Sequence, residues 1–480
     1  MKKFAASVLA ALLLAGCVSA PSTAPGVVAL DSAKLGLDGA PAPLVARAWW
    51  TSFNDPQLDV LVEKAFSGSP TLAAALARMR MAQSELSENR AETYPQLNLD
   101  AQEMRERFSG TYIIPPPYAG TTRWIGTIQG NLSWDIDFWG RQAAMVDKAR
   151  ASAQAAALDA DAARLALAGA VAQAYVQLSS AYALCDVAAE AVKDRQDILA
   201  LTDTRLRNGL ENAASQKQAM ALLVQARQSL IAAQSNRDLA VHAIATLIGR
   251  GADVYGQIAR PRLDLEVALP LPQTLPADLL ARRPDILAAQ VRIEASISGR
   301  KVARTAFYPD VNLMGLAGWA SIGLSPLFSA SSLNYGAGPA VHLPIFDAGK
   351  LRANYAGATA QLDLSVADYN AAVLSAVKQT ADALTQSRSL AAQLREEHQA
   401  LAAVEDGSRI AEARYRRGIS PQINVLDLQN TLLDARRQQA LLDGEAANAR
   451  IALLLAVGGG FNFKTGNAAH AALPTQDKTQ

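Results

Sequence analysis

The sequence runs through one pattern twice. Residues 70–99 lie on residues 284–313 at a constant offset of 214, without a gap. Ten of these thirty positions are identical, among them Pro70/Pro284, Arg78/Arg292 and Arg90/Arg304. The run Tyr94-Pro95-x-x-Asn98-Leu99 returns as Tyr308-Pro309-x-x-Asn312-Leu313. A unit of about two hundred residues is far longer than a solenoid or propeller repeat. It points instead to two equivalent structural halves, an arrangement that membrane folds often use.

The N-terminus says where such a chain resides. Met1-Lys2-Lys3 is basic, an apolar run follows, and Leu14-Ala15-Gly16-Cys17 closes it. About twenty apolar residues are needed to span a bilayer, so this is a signal peptide over residues 1–16. Its end resembles the bacterial lipobox, which makes Cys17 a lipidation site; the plainer alternative is a secretory signal with an incidental cysteine. Val18, in place of an aspartate, favours the outer membrane. Residues 17–45, rich in Pro, Ala, Gly and Ser, read as a lipidated tether. With Cys17 acylated, Cys185 has no disulfide partner and reads as a small buried hydrophobe. The 45 basic and 44 acidic residues balance to +1, which argues against nucleic acid as a partner.

From Arg141 to Arg260 there is no proline, and strong helix formers dominate. Arg207-Asn208-Gly209 is the one clear break. A helix from Arg141 to Arg207 would run roughly 100 Å. Val171, Ala174, Leu178, Ala181 and Leu184 give it a narrow seam of coiled-coil type. Ile345 to Ser420 is again free of proline, with Arg416-Arg417-Gly418 at its break. Each half therefore contributes two long helical arms folded back at a glycine tip.

Between the helices the period changes to two. Trp124, Ile128, Leu132, Trp134, Ile136 and Phe138 share one face with Gly126 and Gly130. Thr127, Gln129, Asn131, Ser133, Asp135 and Asp137 share the other. That is a strand with a lipid-facing side and a water-facing side. Leu97, Leu99 and Ala101 against Gln96, Asn98, Asp100 and Gln102 give a second. Val311–Ala320 and Tyr335–Phe346 give two weaker ones. The Tyr94-Pro95 and Tyr308-Pro309 pairs mark the helix–strand junctions, and Gly140-Arg141 and Gly349-Lys350 the strand–helix junctions. Four strands cannot close a barrel, and an open edge cannot sit in lipid. The chain must pool strands with copies of itself. Two, three or four copies give eight, twelve or sixteen strands; an aqueous lumen disfavours eight.

The domain plan is thus a first repeat over 46–260, with hairpin 95–138 and long helices 141–250. A second repeat covers 261–460, with hairpin 309–346 and helices 350–456, and 461–480 form a tail. The fold class is an α+β membrane protein, its long helices arranged as coiled-coil arms beside a shared transmembrane β-barrel.

The lipobox, the doubled helix–Tyr-Pro–strand unit, Trp139-Gly140-Arg141, Phe346-Asp347-Ala348-Gly349-Lys350 and Arg414-Tyr415-Arg416-Arg417-Gly418 together resemble the outer membrane factors, the TolC-like efflux ducts. The lipidated OprM/NodT-type branch is the most similar. This resemblance implies a homotrimer with a twelve-stranded barrel in outer-membrane lipid and a twelve-helix periplasmic tunnel. It further implies a periplasmic adaptor protein and an inner-membrane pump, such as an RND transporter, as partners. Segments near 45–66, 250–280 and beyond 460 would form a belt around the tunnel. At the closed tip such proteins carry a Tyr and an Arg, and two Asp residues ring the constriction. Aligned on Gly418, the Tyr falls on Tyr415 and one Asp on Asp427. The other Asp falls on Asn424, the Arg on Ser420 and a first-half Asp partner near Ser215. The expected gate has one acidic ring and hydrogen bonds in place of ion pairs. Arg205, Arg207, Gly209, Arg414, Arg417 and Gly418 match the adaptor-contact tips.

No catalytic constellation is present. His242, His342, His398 and His470 are scattered without metal-ligand spacing, and neither a Walker A loop nor a dinucleotide fingerprint occurs. No metal, cofactor or enzymatic activity is expected. A passive duct is the reading, with a structural coiled-coil outer-membrane lipoprotein as the alternative.

Overall fold

Proline and glycine divide the chain much as the sequence suggests. The computed structural model describes residues 23–461 apart from 32–34, 38–39, 42, 44, 112, 266–268, 270, 273 and 277. The first half comprises α1 (Pro56–Gly68), α2 (Pro70–Ala91), β1 (Gln96–Arg107), β2 (Thr122–Asp135), α3 (Arg141–Arg207) and α4 (Ala213–Leu247). In the second half a single helical turn, Leu279–Arg282, precedes α5 (Pro284–Thr305), β3 (Asp310–Ile322), β4 (Leu333–His342), α6 (Lys350–Arg416) and α7 (Gln422–Ala456). Helix lengths repeat residue for residue: α2 and α5 have 22, α3 and α6 have 67, α4 and α7 have 35.

The strands stop earlier than the alternation suggests. β2 ends at Asp135 rather than Phe138, although Ile136 N still donates to Val311 O at 2.9 Å. The next acid leaves the sheet to cap α3: Asp137 accepts from Gln142 N and Ala143 N at 3.1 and 2.9 Å. β4 ends at His342 rather than Phe346, and Asp347 caps α6 through Gly349 N and Leu351 N at 3.0 and 2.7 Å. Those two N–H groups hold the Asp347 carboxyl below its ordinary range. The glycines that admit this turn have positive φ, Gly140 at 73° and Gly349 at 91°.

The chain forms two compact units. One contains Arg78–Ala156 and Ala288–Asn370, together with residues 23–29. Its four strands form one antiparallel sheet in the order β1-β2-β3-β4. Residues 23–28 are strapped onto the helices. Arg300 donates to Thr23 O at 2.6 Å, Asp363 accepts from Gly26 N and Val27 N at 2.9 and 3.1 Å, and Asn370 donates to Val28 O at 3.0 Å.

The other unit contains Leu30–Ala77, Ala157–Leu287 and the chain from Ala371 onward. Its core gathers Trp49, Trp50, Phe53, Leu58, Leu61 and Val62 against α3 residues Val171, Ala172, Tyr175, Val176 and Leu178. The buried strip on α3 is therefore wider than the seam read from sequence. A polar knot ties these segments together. Asp55, 5% exposed, caps α1 through Gln57 N and also accepts from Tyr175 Oη at 2.8 Å and Arg262 N at 2.7 Å. Gln57 reciprocates, donating to Tyr175 Oη at 2.7 Å and to Ala259 O at 2.9 Å. Burial, followed by the bond to Asp55, pushes the Tyr175 hydroxyl's pKa up. Segments near 49–58 and 255–263 are thereby fixed to the middle of α3. Cys185 is buried, and burial raises its pKa, as fits a small core residue. Cys17 and residues 462–480 lie outside the described residues.

Candidate functional site

The sheet is the first functional surface. Its register sets Leu97, Leu132, Gly315 and Ala337 in one row across the strands. Leu99, Gly130, Ala317 and Tyr335 form a second row, and Ala101, Ile128, Trp319 and Leu333 a third. A slip by one residue in any strand would have turned its side chains to the opposite face. All four apolar sets instead fall on the same side. That side is open, with Leu97, Leu99, Trp134, Leu333, Tyr335 and Val341 all exposed.

The opposite face is hydrogen-bonded and polar over the first hairpin. Asn131 donates to Asp100 at 2.6 Å, Gln129 bonds Asn131, and Asn312 bonds Ser133 at 2.9 Å and also Asp135. The second hairpin carries Met314, Leu316 and Gly318 on this face. Its polarity is weaker for that reason. β1 and β4 pair on one side only among the described residues.

The helix–strand junctions are cross-braced between the repeats. Trp139, from the first half, stacks on Tyr308 of the second with centroids 4.9 Å apart, and its Nε1 donates to Pro309 O at 2.9 Å. Arg141 reaches Asp310 at 3.6 Å. Tyr94, with Pro95 beside it, remains exposed.

The second surface is the pair of glycine tips. Gly209 and Gly418 adopt φ of 73° and 72°. Each ends its helix in a Schellman turn, with Leu210 N bonding Arg205 O and Ile419 N bonding Arg414 O at 2.8 and 2.9 Å. Leu210 and Ile419 beyond them are exposed, as are Arg207, Arg414 and Arg417.

Arg205 is placed differently from those other tip residues. Its guanidinium lies over the Tyr415 ring, 4.8 Å from the centroid, and Glu211 stands 3.7 Å away. Tyr415 is 1% exposed and packs with Ile198, Ala219, Ala411, Val425 and Leu426. Its hydroxyl makes no hydrogen bond of good geometry. The nearby Thr202 hydroxyl is already committed, donating to Ile198 O and accepting from Gln422 Nε2. The contact at Tyr415 is thus a cation over a ring, with an ion pair from Glu211 behind the guanidinium. The base comes from α3, where an alignment on α6 and α7 could not find it. A basic residue four positions before the first tip glycine was the available signal. Asn424 and Asp427 lie one turn apart on the exposed face of α7. Among the described residues no metal-binding group of His, Cys, Asp or Glu occurs, and no helix is long and apolar enough to cross a membrane.

An open sheet with a lipid-compatible face and a polar face, carried with hairpins of long helices, defines a subunit of a pooled-barrel channel. The chain belongs to the outer membrane efflux protein family, which matches residues 61–250 and 275–459. The two matched stretches correspond to the two repeats. It is 31% identical over 425 residues to the putative multidrug resistance outer membrane protein MdtQ of Escherichia coli, covering 86% of this chain and 88% of that one. It is 34% identical over 360 residues to the fusaric acid resistance protein FusA of Burkholderia cepacia, covering 73% and 68%. The structure of the outer membrane protein VceC from Vibrio cholerae superposes with a TM-score of 0.81 at 32% identity, covering 87% of this chain and all of that one. The chain is an outer-membrane efflux channel protein.

Proposed function

We propose that three copies of the chain pool their sheets into a twelve-stranded barrel, and that the long helices continue it as a periplasmic tunnel. The tunnel is shut at the tips until an adaptor and an inner-membrane pump engage. The observation that carries this reading is the strand register. It puts the rows from Leu97, Leu99 and Ala101 on one apolar face, leaves both edges unpaired among the described residues, and so calls for lipid outside, water inside and neighbouring copies at the edges.

Within this reading Tyr415 and Arg205 hold each tip closed, and Asp427 with Asn424 rings the constriction. Leu210, Ile419, Arg207, Arg414 and Arg417, beside Gly209 and Gly418, form the adaptor-docking surface. Cys17 carries the lipid. The chain itself is passive, and its cargo is set by the pump; fusaric acid and drugs of several classes, as named for its relatives, are the first to try.

Purified protein in planar bilayers tests the duct. Small, nearly closed conductances that grow when the tip is weakened are expected, along with a native mass of three chains. Liposomes that stay sealed even with the tip disrupted would favour a purely structural lipoprotein. Metabolic labelling with palmitate, compared with Cys17→Ser, tests the anchor.

A further inference from the structure

The two repeats differ on the apolar side of the sheet, near the end away from the helices. On that side β1 carries Leu97, Leu99 and Ala101, then Glu103, Arg105 and Arg107. The 214-residue offset sets Ala317, Trp319 and Ser321 of β3 against those last three. The duplicate strand thus reaches the same height without charge, so the sheet itself does not require charge here. From Leu97 to Arg107 the strand climbs ten residues. That is about 33 Å along its own axis, or roughly 25 Å along the membrane normal at a tilt of about 40°, the height of the apolar band in membrane barrels. Arg107 therefore stands at the outer boundary of lipid and water. Arg105 lies just beneath it, where its long side chain can reach up to that boundary.

Neither base is answered by an acid directly across the sheet. Arg105 faces Trp124 and Arg107 faces Thr122, whereas on the other side of the sheet Glu106 faces Arg123 and balances it. Glu103 faces Gly126, one row deeper than Arg105, and offsets one of the two positive charges. Both arginines are exposed. One net positive charge is left on the side that meets lipid.

An apolar shelf lies beside them. The loop after β3 turns back over this same side of the sheet. Gly323 N donates to Trp124 O at 2.6 Å, and a Cβ added at Gly126 would come within 3.1 Å of Leu327 and 3.3 Å of Leu324. Phe328 packs edge-on against Trp319 with centroids 6.1 Å apart. Leu327 is buried, but Leu324, Phe328 and Trp124 stay open.

We propose that Arg105 and Arg107, with the shelf of Trp124, Leu324 and Phe328, bind a lipid of the outer leaflet whose headgroup carries phosphate. The guanidiniums take the phosphates, which they match bidentately, and the shelf takes the adjoining part of the acyl chains. The proposal rests on the barrel reading above and adds to it a defined lipid site.

Native mass spectrometry of the full-length protein, incubated with lipid in detergent, tests the site. The probes are diphosphoryl lipid A, the same lipid stripped of its phosphates, and phosphatidylcholine. Wild type should retain the diphosphoryl lipid in preference to the other two. A base beside an anionic lipid surface is worth about fivefold in affinity, so Arg105→Gln with Arg107→Gln should lose roughly twentyfold. Arg123→Gln, on the other side of the same hairpin, should change retention by less than about twofold. Glu103→Gln should bind about fivefold more tightly, a gain that misfolding cannot produce. Equal retention of the three lipids by wild type overturns the site. So does undiminished retention by the double variant, an equal loss in Arg123→Gln, or displacement of the lipid by millimolar inorganic phosphate. In each of those cases pores in planar bilayers leave the channel reading standing. Protein that retains none of the lipids and forms no pores overturns both.

Discussion

Replacing Arg205 with methionine should loosen the tip while leaving the helices intact. The guanidinium sits 4.8 Å from the Tyr415 ring centroid, and its side chain is 22% exposed. Between an exposed and a desolvated cation–π contact, the loss is about 1–2 kcal/mol. The ion pair to Glu211 spans 3.7 Å, with the glutamate side chain 14% exposed. Discounted for the solvent that still reaches the arginine, it adds about 1 kcal/mol. Methionine keeps most of the packing, so the sum of about 2–3 kcal/mol is electrostatic. At 1.4 kcal/mol per tenfold, the closed-to-open ratio of each tip falls by about thirtyfold to more than a hundredfold. Planar-bilayer conductance reads this directly, and sensitivity of cells to a large antibiotic reads it in vivo. Tyr415→Phe is the matched control. It keeps the ring under the cation and removes a hydroxyl that makes no hydrogen bond of good geometry, so it should conduct like wild type. If Tyr415→Phe leaks and Arg205→Met stays shut, the latch works through the hydroxyl and the cation–π account is refuted.

Asp55→Ala should destabilise the helical unit by about 3–5 kcal/mol, through a lost α1 cap and two stranded donors at Tyr175 and Arg262. Thermal unfolding and faster proteolysis near Arg262 would register it, and a change below 1 kcal/mol would contradict the knot's role. Asp194 has its pKa raised by burial and then by Glu190, against the pull of Arg436 and Arg195. Its ionised form therefore opposes folding at neutral pH, and the opposition fades as pH falls through the raised pKa toward the ordinary 3.8. Asp194→Asn should accordingly gain stability at pH 7 and lose that gain near pH 3.8, as denaturant midpoints at several pH values would show. At Gly249, φ is 69° and a Cβ would lie 2.0 Å from Gly68 O. Gly249→Ala should lower the melting temperature by separating the end of α4 from α1, and an unchanged melt would show that this approach is not needed.

Much of the architecture follows from signals that act over one or two turns. The long proline-free runs and the tip glycines fix α3 and α6 almost to the residue, and the change of period from helix to strand places the four strands. The strand ends were harder to read, because the alternation continues to Phe138 while Asp137 has already left to cap α3. Distant side chains meeting across elements left no such trace. Arg205 over Tyr415 and Asp55 against Tyr175 are contacts of this kind. Their partners depend on how packed elements are offset from one another, a quantity that no local period records.

By itself, then, the sequence determined that two equivalent halves alternate helix, hairpin and helical arms, because backbone propensity and side-chain period are properties of short segments. The tertiary structure decided which rows of the sheet share a face, which helix mates with which, and that a cation lies over the Tyr415 ring at the tip. Each of those depends on inter-element register, which is fixed only when burial and hydrogen bonding across the whole fold are satisfied together.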